Sequence, residues 1–254
     1  MLREAEQFYD ELSENYHLLY TDWNISIDQQ GKILEKILFH NRVPVVKTVL
    51  DCDCGIGTQA LGLAARGYQV TASDISSAAV QRARAEAEKR GLSIRFEIAD
   101  LRFLEEKIQD QFDAVISLDN ALPHLMEEQE LRRALRSIYG RLGHNGLFVA
   151  SIRDYDAILL NKPRVTPAEI HDFSDSRRIT FQVWDWQGEE RYDFTQYIIV
   201  EQNGEAEVYL SRCGYRPIRR YEMSILLEET GFHGVRWLFP DETGFYQPIV
   251  LARR

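Results

Sequence analysis

Apolar positions in the first part of the chain recur at helical spacing. Ile33, Leu34, Ile37 and Leu38 fall on one side of a 3.6-residue period, which predicts a helix with one buried face. Pro44 ends it, so residues 1–44 read as N-terminal helices. Beyond them short apolar runs alternate with helical patterns. Strands are predicted at 45–51, 68–73, 93–98, 112–118 and 147–152. Between them lie helices at 58–66, closed by Gly67, and from the Ser76 cap to Arg90, stopped at Gly91. A third covers 127–139, with Leu131, Leu135 and Ile138 on one face. Strand–helix alternation means crossover connections and a parallel sheet covered on both faces.

The rhythm changes after Arg153. Segments 179–186, 191–201 and 205–211 are β-rich, separated by Gln187-Gly188 and Asn203-Gly204, the pattern of an antiparallel meander. A helix at 221–230 and strands at 235–239 and 247–252 follow, the last two able to form a hairpin at the sheet edge. The expected architecture is one α/β domain over residues 1–254. It has a Rossmann-like, seven-stranded, mostly parallel sheet with helices on both faces, and an antiparallel β cap at 155–215 inserted after strand five. The cap carries Trp184, Trp186, Tyr192, Tyr197, Tyr209 and Tyr215. Aromatics there either line a lid over a site or serve cross-strand packing.

Composition narrows the partners. The chain of 254 residues is 44% hydrophobic and 28% charged, the balance of a globular protein. A net charge of −10 disfavours nucleic-acid phosphates and leaves a small molecule or another protein as partner. No apolar run is long enough to span a membrane. The acidic start lacks an apolar signal core and the 3 cysteines make no disulfide framework, so a cytoplasmic location is expected. Homo-oligomerisation stays open. Cys52-x-Cys54 lacks a second pair at zinc spacing, so no metal is expected.

Chemistry concentrates in Val49-Leu50-Asp51-Cys52-Asp53-Cys54-Gly55-Ile56-Gly57-Thr58. A strand ends in an acid, and a Gly-x-Gly turn opens a helix whose free N–H groups face a ligand. Asp74 ends the next strand, where a carboxylate can accept both hydroxyls of a ribose. Nicotinamide-binding reductases share much of this pattern, and Gly55-Ile-Gly57-Thr-Gln-Ala60 fits their glycine variant. Asp51 would place negative charge where a pyrophosphate sits, yet it suits a ligand bearing a cationic amine.

Asp51-x-x-x-Gly55-x-Gly57, Asp74 and Ala99-Asp100-Leu101 together resemble the class I S-adenosylmethionine-dependent methyltransferases. The stretch from Leu118 through Asn120 to His124-Leu125 resembles one in glycine N-methyltransferases, as does Arg153-Asp154-Tyr155-Asp156-x-Ile158-Leu159. Tyr9 to Leu12, Tyr16 to Tyr20 and Asp22-Trp23 are similar to bacterial glycine and sarcosine methyltransferases. The resemblance implies methyl transfer from S-adenosylmethionine, leaving S-adenosylhomocysteine, with glycine or sarcosine as acceptor. Another amine or hydroxyl, on a sugar or natural product, is the alternative acceptor, and a non-catalytic cofactor-binding protein remains open.

It also implies roles. Gly55 and Gly57 pass under the methionine part, Asp74 takes the ribose, and Asp100 takes the adenine amino group. Asp51, Tyr16, Trp23, Gln30, Ile75, Leu101, Leu118 and His124 complete the cofactor site. Tyr20 and His124 stand at the methyl, His124 as a base or as an anchor of its loop. Arg153 takes the substrate carboxylate unless it pairs internally with Asp154 or Asp156, Asn120 stands with it as a substrate-side residue, and the cap itself is expected to turn some of Tyr192, Tyr197 and Tyr215 toward the acceptor. Two departures stand out. Asp28-Gln29-Gln30 occupies the place of an arginine that would hold the cofactor carboxylate, and Cys52-Asp53 is more polar than the usual small pair. Arg177-Arg178 and Arg219-Arg220 read as solvated charge.

Overall fold

A computed structural model of the chain describes residues 2–41 and 45–254, with side chains from Ala5 onward; Pro44 lies outside the described residues. The first helix, α1, is Leu2–Leu12, and α2 is Trp23–His40. Asp22 caps α2 by accepting from the backbone N–H of Asn24 and Ile25. Leu34 and Leu38 on its apolar face are wholly buried, which stabilises by about 1.5–3 kcal/mol for each side chain.

The main sheet comprises β1 (Thr48–Asp51), β2 (Gln69–Asp74), β3 (Ile94–Ile98), β4 (Phe112–Ser117), β5 (Leu142–Ser151), β10 (His233–Leu238) and β11 (Ile249–Arg253). Their order is β10-β11-β5-β4-β1-β2-β3, and only β11 runs antiparallel to its neighbours. Helices α3 (Thr58–Ala64), α4 (Ser77–Lys89), α5 (Glu128–Arg141) and α7 (Arg220–Thr230) make crossovers and cover the faces. The expected hairpin of the last two strands forms, with β11 between β10 and β5. Connections leave β1 in one direction and β4 in the other, and this reversal opens a crevice at the strands' carboxyl ends.

Boundaries move where local sequence is ambiguous. The expected strand at 45–51 begins only at Thr48, and β5 starts at Leu142, upstream of its expected 147, because an irregularity re-registers Phe112–Leu142 pairing into Ala114–Leu147. After helix α6 (Tyr155–Asn161) comes a separate four-stranded antiparallel sheet: β6 (Glu169–Asp172), β7 (Ser176–Gln187), β8 (Arg191–Gln202) and β9 (Glu205–Tyr215). The exposed edge strand β6 carries no clear alternation and is not predicted by the pattern.

The pleat sorts this second sheet's side chains. Register pairs Trp184 with Phe194 and Trp186 with Tyr192, and Tyr192 with Tyr215, so these share one face. Phe194 meets Phe8 of α1 edge-on at 5.3 Å, which directs that face inward. Tyr197 has the opposite parity and stacks on Phe181 on the outer face, so it is not among the acceptor-side residues as expected. Arg178 also departs from expectation. It is buried, and its guanidinium donates to the carbonyls of Tyr20 and Thr21, tying β7 to the N-terminal segment.

Candidate active site

The turn after β1 is shaped by its glycines and an acid from the next strand. Gly55 has φ +51°, a conformation that disfavours side chains with a Cβ. Its N–H donates to Asp74 Oδ2 at 2.8 Å, while the Ser76 N–H donates to Asp74 Oδ1 at 2.9 Å. Asp74 thus pins the turn to the end of β2. A Cβ on Gly55 would meet nothing within 4 Å, so the turn's bare side faces open space. Gly57 faces elsewhere: a Cβ there would come within 3.1 Å of Ala83 in α4, so this glycine allows close packing and does not floor the cavity.

The open space belongs to a cavity at the carboxyl ends of the strands. On the sheet side Asp53, Gly55, Asp74, Ile75, Asp100, Leu101, Leu118, Asp119 and His124 line it. Tyr9, Tyr16 and Tyr20 wall it from the N-terminal segment, stacked in series at 6.1 and 6.2 Å. Its walls are rich in carboxylates. Burial holds Asp74 and Asp119 above the usual carboxylate range, and burial reinforced by Asp74 and Asp119 pushes Asp53 up to about 8.

Several residues expected around the cofactor lie behind this wall. Asp51 is wholly buried with Oδ2 lacking a hydrogen-bond partner, and Asp53 presents the carboxylate to the cavity instead. The strand ends at Asp51, and the turn that follows, which no longer obeys strand alternation, carries Asp53 to the cavity. Trp23 donates its indole N–H to Thr58 Oγ1 at 2.8 Å and packs beneath Arg82 and Arg90. Gln30 accepts from Gln59 Nε2 at 2.8 Å, and the same amide donates to Asp119 Oδ2 at 2.8 Å. Gln30 therefore touches the cavity wall only through Gln59. Asp100 reaches the cavity, but Arg102 holds its carboxylate in a close pair at 2.6 Å.

Past β4 the backbone turns through two consecutive non-glycine residues of positive φ, Asp119 at +55° and Asn120 at +68°. That conformation is strained, and it is held because Asn120 bridges elements. Its Oδ1 accepts from the Arg153 N–H at 2.9 Å and its Nδ2 donates to Tyr155 Oη at 3.0 Å. His124 follows. Its Nδ1 faces the Gly214 carbonyl at 3.2 Å, which can only accept, so the proton sits on Nδ1. Nε2 then accepts from the Tyr9 hydroxyl at 3.0 Å. Burial pushes the imidazole down to about 3, so it is neutral. Both ring nitrogens are engaged, which fits the anchoring alternative for His124.

A second cluster adjoins the cavity where the Tyr215 ring lies 4.3 Å from that of His124. At its centre is Arg153. Its Nη1 donates to Tyr192 Oη and its Nη2 to Gln182 Oε1, both at 2.9 Å, and the guanidinium lies 5.0 Å from the centroids of Trp184 and Tyr215. Asp154 and Asp156, the expected internal partners, pair with Arg220. Among the described residues no carboxylate pairs with Arg153.

Sequence reading overlooked Tyr9, Asp53, Thr58, Gln59, Asp119 and Gln182. Tyr9 and Asp53 lie inside quoted motifs and carried a signal in their polarity; Gln182 carried none. Among the described residues no group of three His, Cys, Asp or Glu side chains is placed to hold a metal ion. No described helix is long and apolar enough to cross a membrane.

A sheet of this order, with one antiparallel strand and a glycine turn after its central strand, is the class I S-adenosylmethionine-dependent methyltransferase fold, and residues 49–146 match the family model of a methyltransferase domain. More particularly, the sequence is similar to glycine/sarcosine N-methyltransferase of Parasynechococcus marenigrum (strain WH8102): 32% identical over 161 residues, 62% of this chain and 56% of that protein. It is 34% identical over 122 residues to glycine N-methyltransferase of Rattus norvegicus, 44% of this chain and 42% of that one. The chain spans about half the length of the curated relatives it matches. Over the whole fold it resembles CalS10, an amino pentose methyltransferase of Micromonospora echinaspora, with TM-score 0.75 and 18% identity over 95% of each chain.

Proposed function

We propose that this chain is an S-adenosylmethionine-dependent methyltransferase whose acceptor is the amine of a small amino acid, glycine or sarcosine. The observation that carries the acceptor is Arg153. A guanidinium enclosed by aromatic rings and met only by neutral hydrogen-bond partners is a charge waiting for an anion. Its planar fork suits a carboxylate in two-point contact. Neutral acceptors such as sugars would leave that charge uncompensated. The relatives in sequence carry glycine and sarcosine in their names, in accord with this reading.

The cavity's residues fit the cofactor. Gly55 leaves its floor bare, Asp74 and Asp100 offer carboxylates of the kind that take ribose hydroxyls and an adenine amino group, and Asp53 and Asp119 suit cationic groups. S-adenosylmethionine supplies a methyl group on a sulfonium, open to attack by a lone pair. The chain's own contribution is placement, which in favourable cases lowers a barrier by roughly 7–11 kcal/mol. Arg153 grips the acceptor's carboxylate, leaving its amine toward the Tyr215–His124 junction between the clusters. Asn120 holds the Arg153 backbone, and Tyr192 and Gln182 fix the guanidinium's plane. His124, neutral and doubly engaged, positions Tyr9 and the β9 end. It takes no proton from the amine, which must arrive as the free base. Tyr16 and Tyr20 exclude water from the mouth.

The test is formation of S-adenosylhomocysteine with glycine, sarcosine and matched amines lacking a carboxylate, such as ethanolamine. Turnover confined to the carboxylated amines is expected. Equal turnover with ethanolamine would reject the amino-acid acceptor, and cofactor binding without any turnover would leave a binding protein.

A further inference from the structure

One acid of the glycine turn faces the cavity. Asp53 lines it just ahead of the bare Gly55 backbone. It is braced from the β4 side: Ser117 Oγ donates to Oδ2, and the Leu118 N–H donates to Oδ1 at 3.3 Å. Among the described residues no lysine, arginine or histidine pairs with it. The groups around it are acidic or neutral. Asp51 ends β1, Cys52 and Cys54 belong to the turn of Asp53, Asp74 comes from β2, and Asp119 and His124 come from the segment after β4. Tyr9, Tyr16 and Tyr20 face the cavity from the N-terminal segment.

We propose that Asp53 is the receptor for the α-ammonium of the cofactor's methionine portion, and that cofactor binding at neutral pH therefore expels a proton from this carboxyl group to solvent. The inference rests on the methyltransferase reading above and deepens it. In the ligand-free cavity the acid keeps its proton at neutral pH, because burial and its neighbours Asp74 and Asp119 push it up to about 8. An ammonium arriving beside it favours the carboxylate, so the O–H bond breaks, the proton leaves to buffer, and the ammonium remains charged. The device also answers the missing arginine of α2. Where that residue would grip the cofactor's carboxylate, this chain has Asp28-Gln29-Gln30, and it grips the amino end instead.

Isothermal titration at pH 7 in two buffers of different ionisation heat counts the protons released. Binding of S-adenosylmethionine to the wild-type protein, and of S-adenosylhomocysteine, whose sulfur is uncharged, is expected to release more protons, up to about one, than binding of 5′-methylthioadenosine, which lacks the amino-acid portion. In Asp53→Asn that difference should vanish and affinity for S-adenosylmethionine should fall roughly tenfold, while 5′-methylthioadenosine binds as before. Unchanged nucleoside binding also shows that the variant is folded. Equal proton release by S-adenosylmethionine and 5′-methylthioadenosine in the wild-type protein overturns the proposal without any variant, as does undiminished release in Asp53→Asn. Should the wild-type protein bind 5′-methylthioadenosine but not S-adenosylmethionine, the ammonium receptor is wrong while a nucleoside site stands. Should it bind neither, the methyltransferase reading falls and this inference with it.

Discussion

Arg153 meets only the Tyr192 hydroxyl, the Gln182 amide and two aromatic faces, so its charge is balanced by no residue described. Lysine in its place keeps the charge and loses the fork. Arg153→Lys should raise KM for glycine or sarcosine about tenfold or more, the scale of one charge-assisted hydrogen bond, with cofactor affinity unchanged. Steady-state kinetics beside cofactor titration separates these effects. His124 gives a pH prediction. Its pKa falls from 6.5 in the unfolded chain to about 3 when folded, so the unfolded state takes up the proton first. Its stabilising contribution is complete above 6.5 and shrinks as pH falls toward 3. His124→Gln should therefore be less stable than wild type at pH 7 but lose less stability between pH 7 and about 5, measured by urea unfolding. At this scale the sequence was only half legible. Asp74, Gly55 and Arg153 stand where spacing put them. Tyr197 turned outward because a one-residue change of parity reverses a side chain, and Asp53 displaced Asp51 because it lies in the turn beyond the end of β1, whose direction a motif's spacing does not specify.

Helices α2 and α3 cross with their backbones almost touching. A Cβ on Gly62 would sit 2.5 Å from the Ile27 carbonyl oxygen, and one on Gly31 would sit 2.8 Å from the Gly62 carbonyl. Backbone cannot yield as a side chain does, so Gly62→Ala should cost about 1–3 kcal/mol, read by urea denaturation. The α1 helix docks differently. Asp10 Oδ1 accepts from Ser76 Oγ at 2.6 Å and from the Ala78 N–H at 3.2 Å, capping α4 from another segment. Asp10→Ala should weaken that docking by roughly 1 kcal/mol and speed amide exchange along α1. Elements with strong periodicity were legible, as in α4 with its Ser76 cap and the meander broken at Asn203-Gly204. Edge strand β6 and the irregular start of β5 were not, because pairing with neighbours creates them and local pattern does not.

Across the whole molecule, the alternation of strands and helices foretold the seven-stranded sheet and its added antiparallel sheet, since these follow from which faces must be buried. How the layers join was not foretold. The join rests on long side chains such as Arg178, whose guanidinium crosses from β7 to the carbonyls of Tyr20 and Thr21. Nothing in a pair of arginines distinguishes such a strut from solvated charge. The strut has a kinetic consequence. The tyrosines of the N-terminal segment form one wall of the cavity, and we expect an enclosed molecule to depart when that wall swings away. Dwell time is then governed by a local opening equilibrium more than by the strength of grip on the ligand. Cutting the strut with Arg178→Ala should hasten escape of S-adenosylhomocysteine in stopped-flow displacement far more than it slows entry. A protein built this way keeps time with its own first residues.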